Sequence, residues 1–383
     1  MGLLPGSRIR RASPEATFVR LALQGAKPSF DPGIEAAAKA VANWHRVAEI
    51  SVQHRLSAWI LQVQALSGRG SLLDRSCAEQ LRFDARLSSL RSLALDGLLA
   101  DLLPSLQAID ETVMVLKGPT IAGRFYPDPS LRPYHDLDLL VAVSAWAQVD
   151  AEIKKRGYQV WDDRGGVGSI VLGTSESPFE VTYVHPVDGL TIDIHYDHLQ
   201  VGLKPRTLEG FWDRGQTVKL GSIEVRTPGL TDHCLLLLVH LQKHGFERLI
   251  WFKDLDLILR AQAEEVDWVW LARAARAEGL LASVRYGLHL LECLFSTPLP
   301  TSALSGRGSA PGGLFQRLIW REHDILNLDT KPLNRRRMVQ YVPRDGVRGL
   351  FPSFLIMGRR KEKAHALWRR YFKSNRGSER PKV

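Results

Sequence analysis

A chain of 383 residues that is 45% hydrophobic and 24% charged has the composition of two or three packed units, which excludes wholesale disorder. Its three cysteines (Cys77, Cys234 and Cys293) are far apart and lack a CxxC spacing, which excludes a disulfide framework and a zinc ribbon and fits a reducing compartment. The formal charge of +10 is concentrated: residues 331–383 hold 16 Lys and Arg against three acids, so the body before them is slightly acidic.

At the N-terminus, Arg8, Arg10 and Arg11 have no apolar stretch behind them, which makes a poor secretory signal. No run of about 18 apolar residues is present, so no membrane-spanning helix and no membrane partner are expected. The expectation is a cytoplasmic protein. Residues 34–103 read as helices. Val41, Trp44, Val47, Ala48 and Val52 recur at helical spacing in a first stretch over 34–63, and a second runs from Cys77 to a stop at Pro104.

The pattern then changes. Thr112–Leu116 is a short β-rich run, and Pro119 after Gly118 marks a turn from strand into helix. That helix ends in Tyr126-Pro127-Asp128-Pro129. Further strands are expected at Asp136–Val143, Tyr158–Trp161, Ser169–Leu172, Phe179–Val184 and Leu190–Tyr196, with a helix over Ala145–Arg156. A hairpin arm is expected over Val218–Val225, and the helical period returns from Leu230 to Leu294. Short strands joined by both helices and tight turns argue for an α+β fold. The expected division is 1–104 helical, 105–228 an α/β core, 229–330 helical, and 331–383 a basic tail.

The chemistry gathers on two strands. In Asp136-Leu137-Asp138-Leu139-Leu140-Val141, alternation puts Asp136 and Asp138 on one face and Leu137, Leu139 and Val141 on the other. Two carboxylates about 7 Å apart on a stiff strand suit a hard divalent cation. The spacing recurs in Asp254-Leu255-Asp256, but there the pattern is helical and positions two apart diverge, so that pair cannot chelate one ion. Asp254 is expected to cap its helix or pair with Arg248 or Lys253. In Thr191-Ile192-Asp193-Ile194-His195 the parity again sends Asp193 and His195 outward. If the strands are neighbours, three repelling carboxylates share a face, which favours a neutralising cation.

Leu116-Lys117-Gly118, Tyr126-Pro127-Asp128-Pro129, Arg132-Pro133, Asp136 to Val141 and Asp193-Ile194-His195, with His240, Arg248-Leu249, Trp251 and Asp254-Leu255 beyond, resemble the bacterial uncharacterised nucleotidyltransferase family. That family falls within the polymerase-beta-like nucleotidyltransferase superfamily. The resemblance covers roughly residues 105–265. It implies a small mixed sheet flanked by helical segments and transfer of NMP from an NTP to a hydroxyl or phosphate acceptor, with magnesium, or manganese in its place, as cofactor. It also implies that Asp136, Asp138 and Asp193 are the catalytic metal ligands, and that Lys117, Gly118, Arg132 and His195 bind the nucleotide. Lys117 departs from the small residue common in the superfamily. An ion pair with the acids is the alternative for both Lys117 and Arg132.

The acceptor is open among a small molecule, a peptide or protein, and RNA. His240-Leu241-Gln242-Lys243-His244 has zincin spacing but carries Leu241 where the catalytic Glu belongs. His233, His240 and His244 share a helical face, either as packing or as a substrate contact. The basic tail is either a solvated extension or an electrostatic grip on an acidic partner. A catalytically silent nucleotide- or RNA-binding module is the rival to the enzyme.

Overall fold

The computed structural model describes residues 12–68, 72–162, 166–167, 180–196, 199 and 210–304. The strand expected at Ser169–Leu172 and the basic tail lie outside the described residues.

The helical stretch expected over 34–63 is present as three helices, α2 (Pro32–Ala40), α3 (Trp44–Gln53) and α4 (Ser57–Leu66), preceded by α1 (Pro14–Ala22). The first break is made by Asn43, whose side chain caps α3 by accepting from the Arg46 N–H. The second falls at Arg55, a non-glycine residue at φ 59°. The long α5 (Arg75–Ile109) does not stop at Pro104. Proline removes one helical hydrogen bond, but Leu102, Leu103 and Leu106 are buried, and that packing carries the helix another turn. Among the described residues α5 is also the one helix long and apolar enough to cross a membrane, with a mean hydropathy of 1.2 over 18 residues, which corrects the expectation that no such segment exists. One side of it is buried in this fold: Leu95, Leu99 and Leu102 pack beneath the sheet, and Arg91 donates to the backbone oxygens of His135 and Gly189, while Phe83, Leu87, Leu90 and Leu93 are exposed.

The sheet is mixed and six-stranded, in the order β1-β2-β6-β5-β3-β4, with β1 (Met114–Val115), β2 (Leu137–Leu140), β3 (Gln159–Asp162), β4 (Gly166–Val167), β5 (Glu180–Val184) and β6 (Thr191–His195). The pair β2 and β6 is parallel and the remaining pairs are antiparallel. The helix expected after Gly118 is α6 (Gly118–Phe125), and α7 (Trp146–Lys155) covers the sheet. Over Val218–Val225 the chain forms two arms rather than one. Strands β7 (Gln216–Leu220) and β8 (Ile223–Thr227) turn at Gly221, whose φ of 57° suits a tight hairpin. The C-terminal half is α8 (Leu230–Lys243), α9 (Leu249–Gln262), α10 (Trp268–Ala277) and α11 (Leu281–Phe295). The fold is α+β, as expected.

Two apolar cores divide the sheet. Leu137, Leu139, Ile192 and Ile194 enter the core shared with α5 and α7, as their parity requires. The other face meets Leu140 and Met114 at one end, where a second core takes in α1 to α4 together with α8 to α11. The two helical flanks, distant in sequence, thus bury one common interior. At its other end this face of the sheet is polar.

Candidate active site

The register places Asp138 directly opposite Asp193 and Leu139 opposite Ile194 across the parallel β2–β6 pair. Neighbouring strands lie about 4.8 Å apart, so the two carboxylates spring from adjacent backbones on the same face. Asp136 precedes β2 by one residue. All three acids line one cavity of about 260 Å³, closed on the far side by His240, His244, Arg248 and Trp251. Gly118 lines it at the start of α6; its φ is 40°, and a Cβ there would stand 3.4 Å from the Tyr134 ring. The convergence expected from alternation is therefore present.

The acids are not preassembled as a cation cage, however: among the described residues no three His, Cys, Asp or Glu side chains stand at ligand spacing. Asp138 Oδ1 is engaged, 2.7 Å from Lys117 Nζ and 2.9 Å from His195 Nε2. Burial opposes ionisation of Asp138, but the Lys117 charge and the His195 contact outweigh it and hold the carboxyl well below the usual range. Burial likewise works against the Lys117 ammonium, and the Asp138 charge more than restores it, so its pKa is raised. Asp193 has only the His195 charge and a Thr182 hydrogen bond to favour its ionised form, and they are outweighed. Burial, then the Asp138 charge, pushes it up to about 7, and its buried Oδ1 has no hydrogen-bond partner among the described residues. Asp136 is raised for the same reasons in the same order. Two reluctant carboxylates, an orphaned buried oxygen and an all-oxygen donor set match what a hard divalent cation requires.

The expected nucleotide contacts stand differently. Lys117 takes the ion pair with the acids that was the alternative to phosphate. The Arg132 guanidinium makes a bidentate pair with Asp254 at 2.6 and 3.0 Å, and Tyr126 donates to the same carboxylate at 2.8 Å. Asp254 thus pairs with Arg132 and neither caps its helix nor meets Arg248 or Lys253. Asp256 faces elsewhere, to Lys253 and Arg260, which bears out that this second Asp-x-Asp cannot hold one ion. His195 is 1% exposed and bridges Asp138 and Glu180, so it positions acids and presents no face to a nucleotide.

The sequence reading missed Glu180, Lys243 and Arg55. Glu180 is opposite His195 on β5 and pairs with Lys243 at 3.1 Å; burial would raise it, but Lys243 and His195 bring it down to about 2. Strand alternation alone would have found Glu180. Of the three histidines, His240 and His244 line the cavity in ring contact with Trp251, while His233 is buried away from it. Burial keeps both cavity imidazoles neutral, with His244 down to about 3 and His240 well below its usual value. The Arg248 guanidinium lies over the Trp251 ring, 5.2 Å from its centroid.

No curated protein and no solved structure matches the chain. The sequence model of the uncharacterised nucleotidyltransferases does, over residues 40–296, a span that holds every acid, cation and ring of the cavity. With two thirds of its length inside that match, the chain belongs to the uncharacterised nucleotidyltransferase family, enzymes that take a nucleotide as substrate and transfer its phosphorus-containing group.

Proposed function

We propose that the protein transfers the NMP group of a nucleoside triphosphate to a hydroxyl or phosphate acceptor and releases pyrophosphate. An acceptor oxygen forms a bond to the α-phosphorus while the bond from that phosphorus to the bridging oxygen of the β-phosphate breaks, and pyrophosphate leaves with that electron pair. The proton of an acceptor hydroxyl passes to Asp193. The observation that carries this reading is the register that sets Asp138 opposite Asp193 on a polar sheet face beside Asp136. Asp136, Asp138 and Asp193 would hold magnesium, which supplies charge neutralisation at the phosphates. For Asp138 to serve, Lys117 must yield its oxygen, and a freed Lys117 is then placed to meet phosphate.

Gly118 opens α6 with its backbone N–H at the cavity edge, a favourable place for an anionic oxygen. The mixed sheet carrying acids next to a glycine-started helix agrees with the polymerase-beta-like superfamily. A cytoplasmic setting, where triphosphates are abundant and the described cysteines remain free thiols, goes with this reading. The basic tail from Lys331 to Val383 would add an electrostatic grip on an acidic partner.

Pyrophosphate release from each NTP, with cell-extract fractions as acceptor source and magnesium present, tests the proposal. Asp136→Asn, Asp138→Asn and Asp193→Asn should each lose release by at least 100-fold. Equal release from wild type and variants would leave only the silent binding module.

A further inference from the structure

The cavity carries five cations, and three are already matched to carboxylates: Lys117 to Asp138, Arg132 to Asp254 and Lys243 to Glu180. Arg55 and Arg248 are different. Both guanidinium groups line the cavity, and among the described residues neither has a carboxylate within ion-pair distance. Their neighbourhood is built. The His54 ring nitrogen Nδ1 accepts from the Leu249 N–H at 3.1 Å, which locks the end of α3 to the start of α9 and sets residues 55 and 248 side by side. Helix α3 closes with Leu56 N–H donating to Ser51 O at 2.8 Å and Arg55 N–H to Val52 O at 3.0 Å. This is the helix ending that normally takes glycine at its left-handed position, and here Arg55 occupies it at φ 59°. A strained backbone thereby delivers an unmatched cation into the site from the N-terminal helices.

Resting on the nucleotidyl-transfer reading, we propose that Arg55 and Arg248 form a diphosphate subsite that grips the β- and γ-phosphates of the triphosphate and then the departing pyrophosphate. Two adjacent guanidiniums repel: burial, then the Arg248 charge, brings Arg55 down to about 10. A polyanion between them removes that repulsion, and the planar donor forks match phosphate oxygens. The carboxylates at the sheet end repel the same polyanion unless a cation intervenes, so the α-phosphorus falls between the two ends of the cavity.

Calorimetric titration of the full chain with inorganic pyrophosphate, without magnesium, reads the subsite directly. Arg55→Gln and Arg248→Gln should each weaken binding at least tenfold, with Arg55→Lys intermediate and the exposed Arg75→Gln unchanged. Arg55→Gly is the decisive variant: glycine relieves the backbone, so its melting temperature should hold or rise while pyrophosphate binding still falls tenfold. Binding within twofold of wild type in Arg55→Gly, or no binding by wild type, overturns the subsite. Transfer that proceeds with an unchanged NTP KM in Arg55→Gly overturns it while leaving nucleotidyl transfer standing. Arginine-dependent pyrophosphate binding in a protein that transfers from no NTP supports the subsite and removes the transfer reading.

Discussion

The Lys117 ammonium rests 2.7 Å from Asp138 Oδ1, with both side chains under 10% exposed, on the oxygen that His195 also contacts. On the proposed metal-dependent reading, this lysine holds the oxygen that a cation would take. Removing one member of a buried pair typically costs about 3–5 kcal/mol. Lys117→Met is therefore expected to lower the melting temperature of the metal-free protein. Magnesium should recover part of that loss, giving a larger thermal upshift in Lys117→Met than in wild type. An equal upshift in both, by scanning fluorimetry, would mean that lysine and cation do not compete.

Asp193 sets a pH dependence whose sign follows from its raised value. The folded protein holds this proton more tightly than the unfolded chain does. Its contribution to stability is thus fully present below about pH 4 and is lost as pH rises through about 7. Asp193→Asn removes the titration. The variant should match wild type near pH 4 and exceed it by roughly 2–4 kcal/mol at pH 8 without magnesium. Urea midpoints at the two pH values check this, and a constant difference between them would contradict it.

The Arg132–Asp254 pair ties the loop before β2 to α9. Asp254→Leu leaves the Arg132 guanidinium buried without its partner and should cost about 3–5 kcal/mol. Arg132→Met combined with Asp254→Leu should recover much of that loss, as seen in urea unfolding. If the double variant is folded and its NTP KM is unchanged, Arg132 acts in the fold; a tenfold rise in KM would restore the phosphate contact implied by the family.

Pro104 stands exposed inside α5. Pro104→Ala restores a backbone donor and is expected to stabilise the protein by about 1–3 kcal/mol, with a raised melting temperature. Transfer activity should not change.

Much of the site was legible because alternation is a local property. The two-residue period of Leu137–Val141 and of Thr191–His195 told which face each side chain takes: Leu137, Leu139, Ile192 and Ile194 enter one core, and Asp138, Asp193 and His195 take the opposite face, where Leu140 alone joins the second core. Hidden were contacts that depend on which segments meet. Nothing near Arg132 in sequence announces Asp254, 122 positions away, and nothing near Arg55 announces Arg248. The run past Pro104 was equally unreadable, because local propensity predicts a stop and only burial of Leu106 explains why there is none. Glu180 was readable in principle, since it shares the parity of its strand's polar face.

Lys253 donates to the backbone oxygens of Leu23 and Gly25 and lies over the Trp59 ring, deep in the interior common to both helical flanks. During synthesis the first helices emerge long before this partner exists. They must wait, with apolar surface open, until some two hundred further residues have left the ribosome. Closing contacts across so long a separation is slow. Nascent chains of this enzyme are accordingly expected to lean on chaperones until α9 is out.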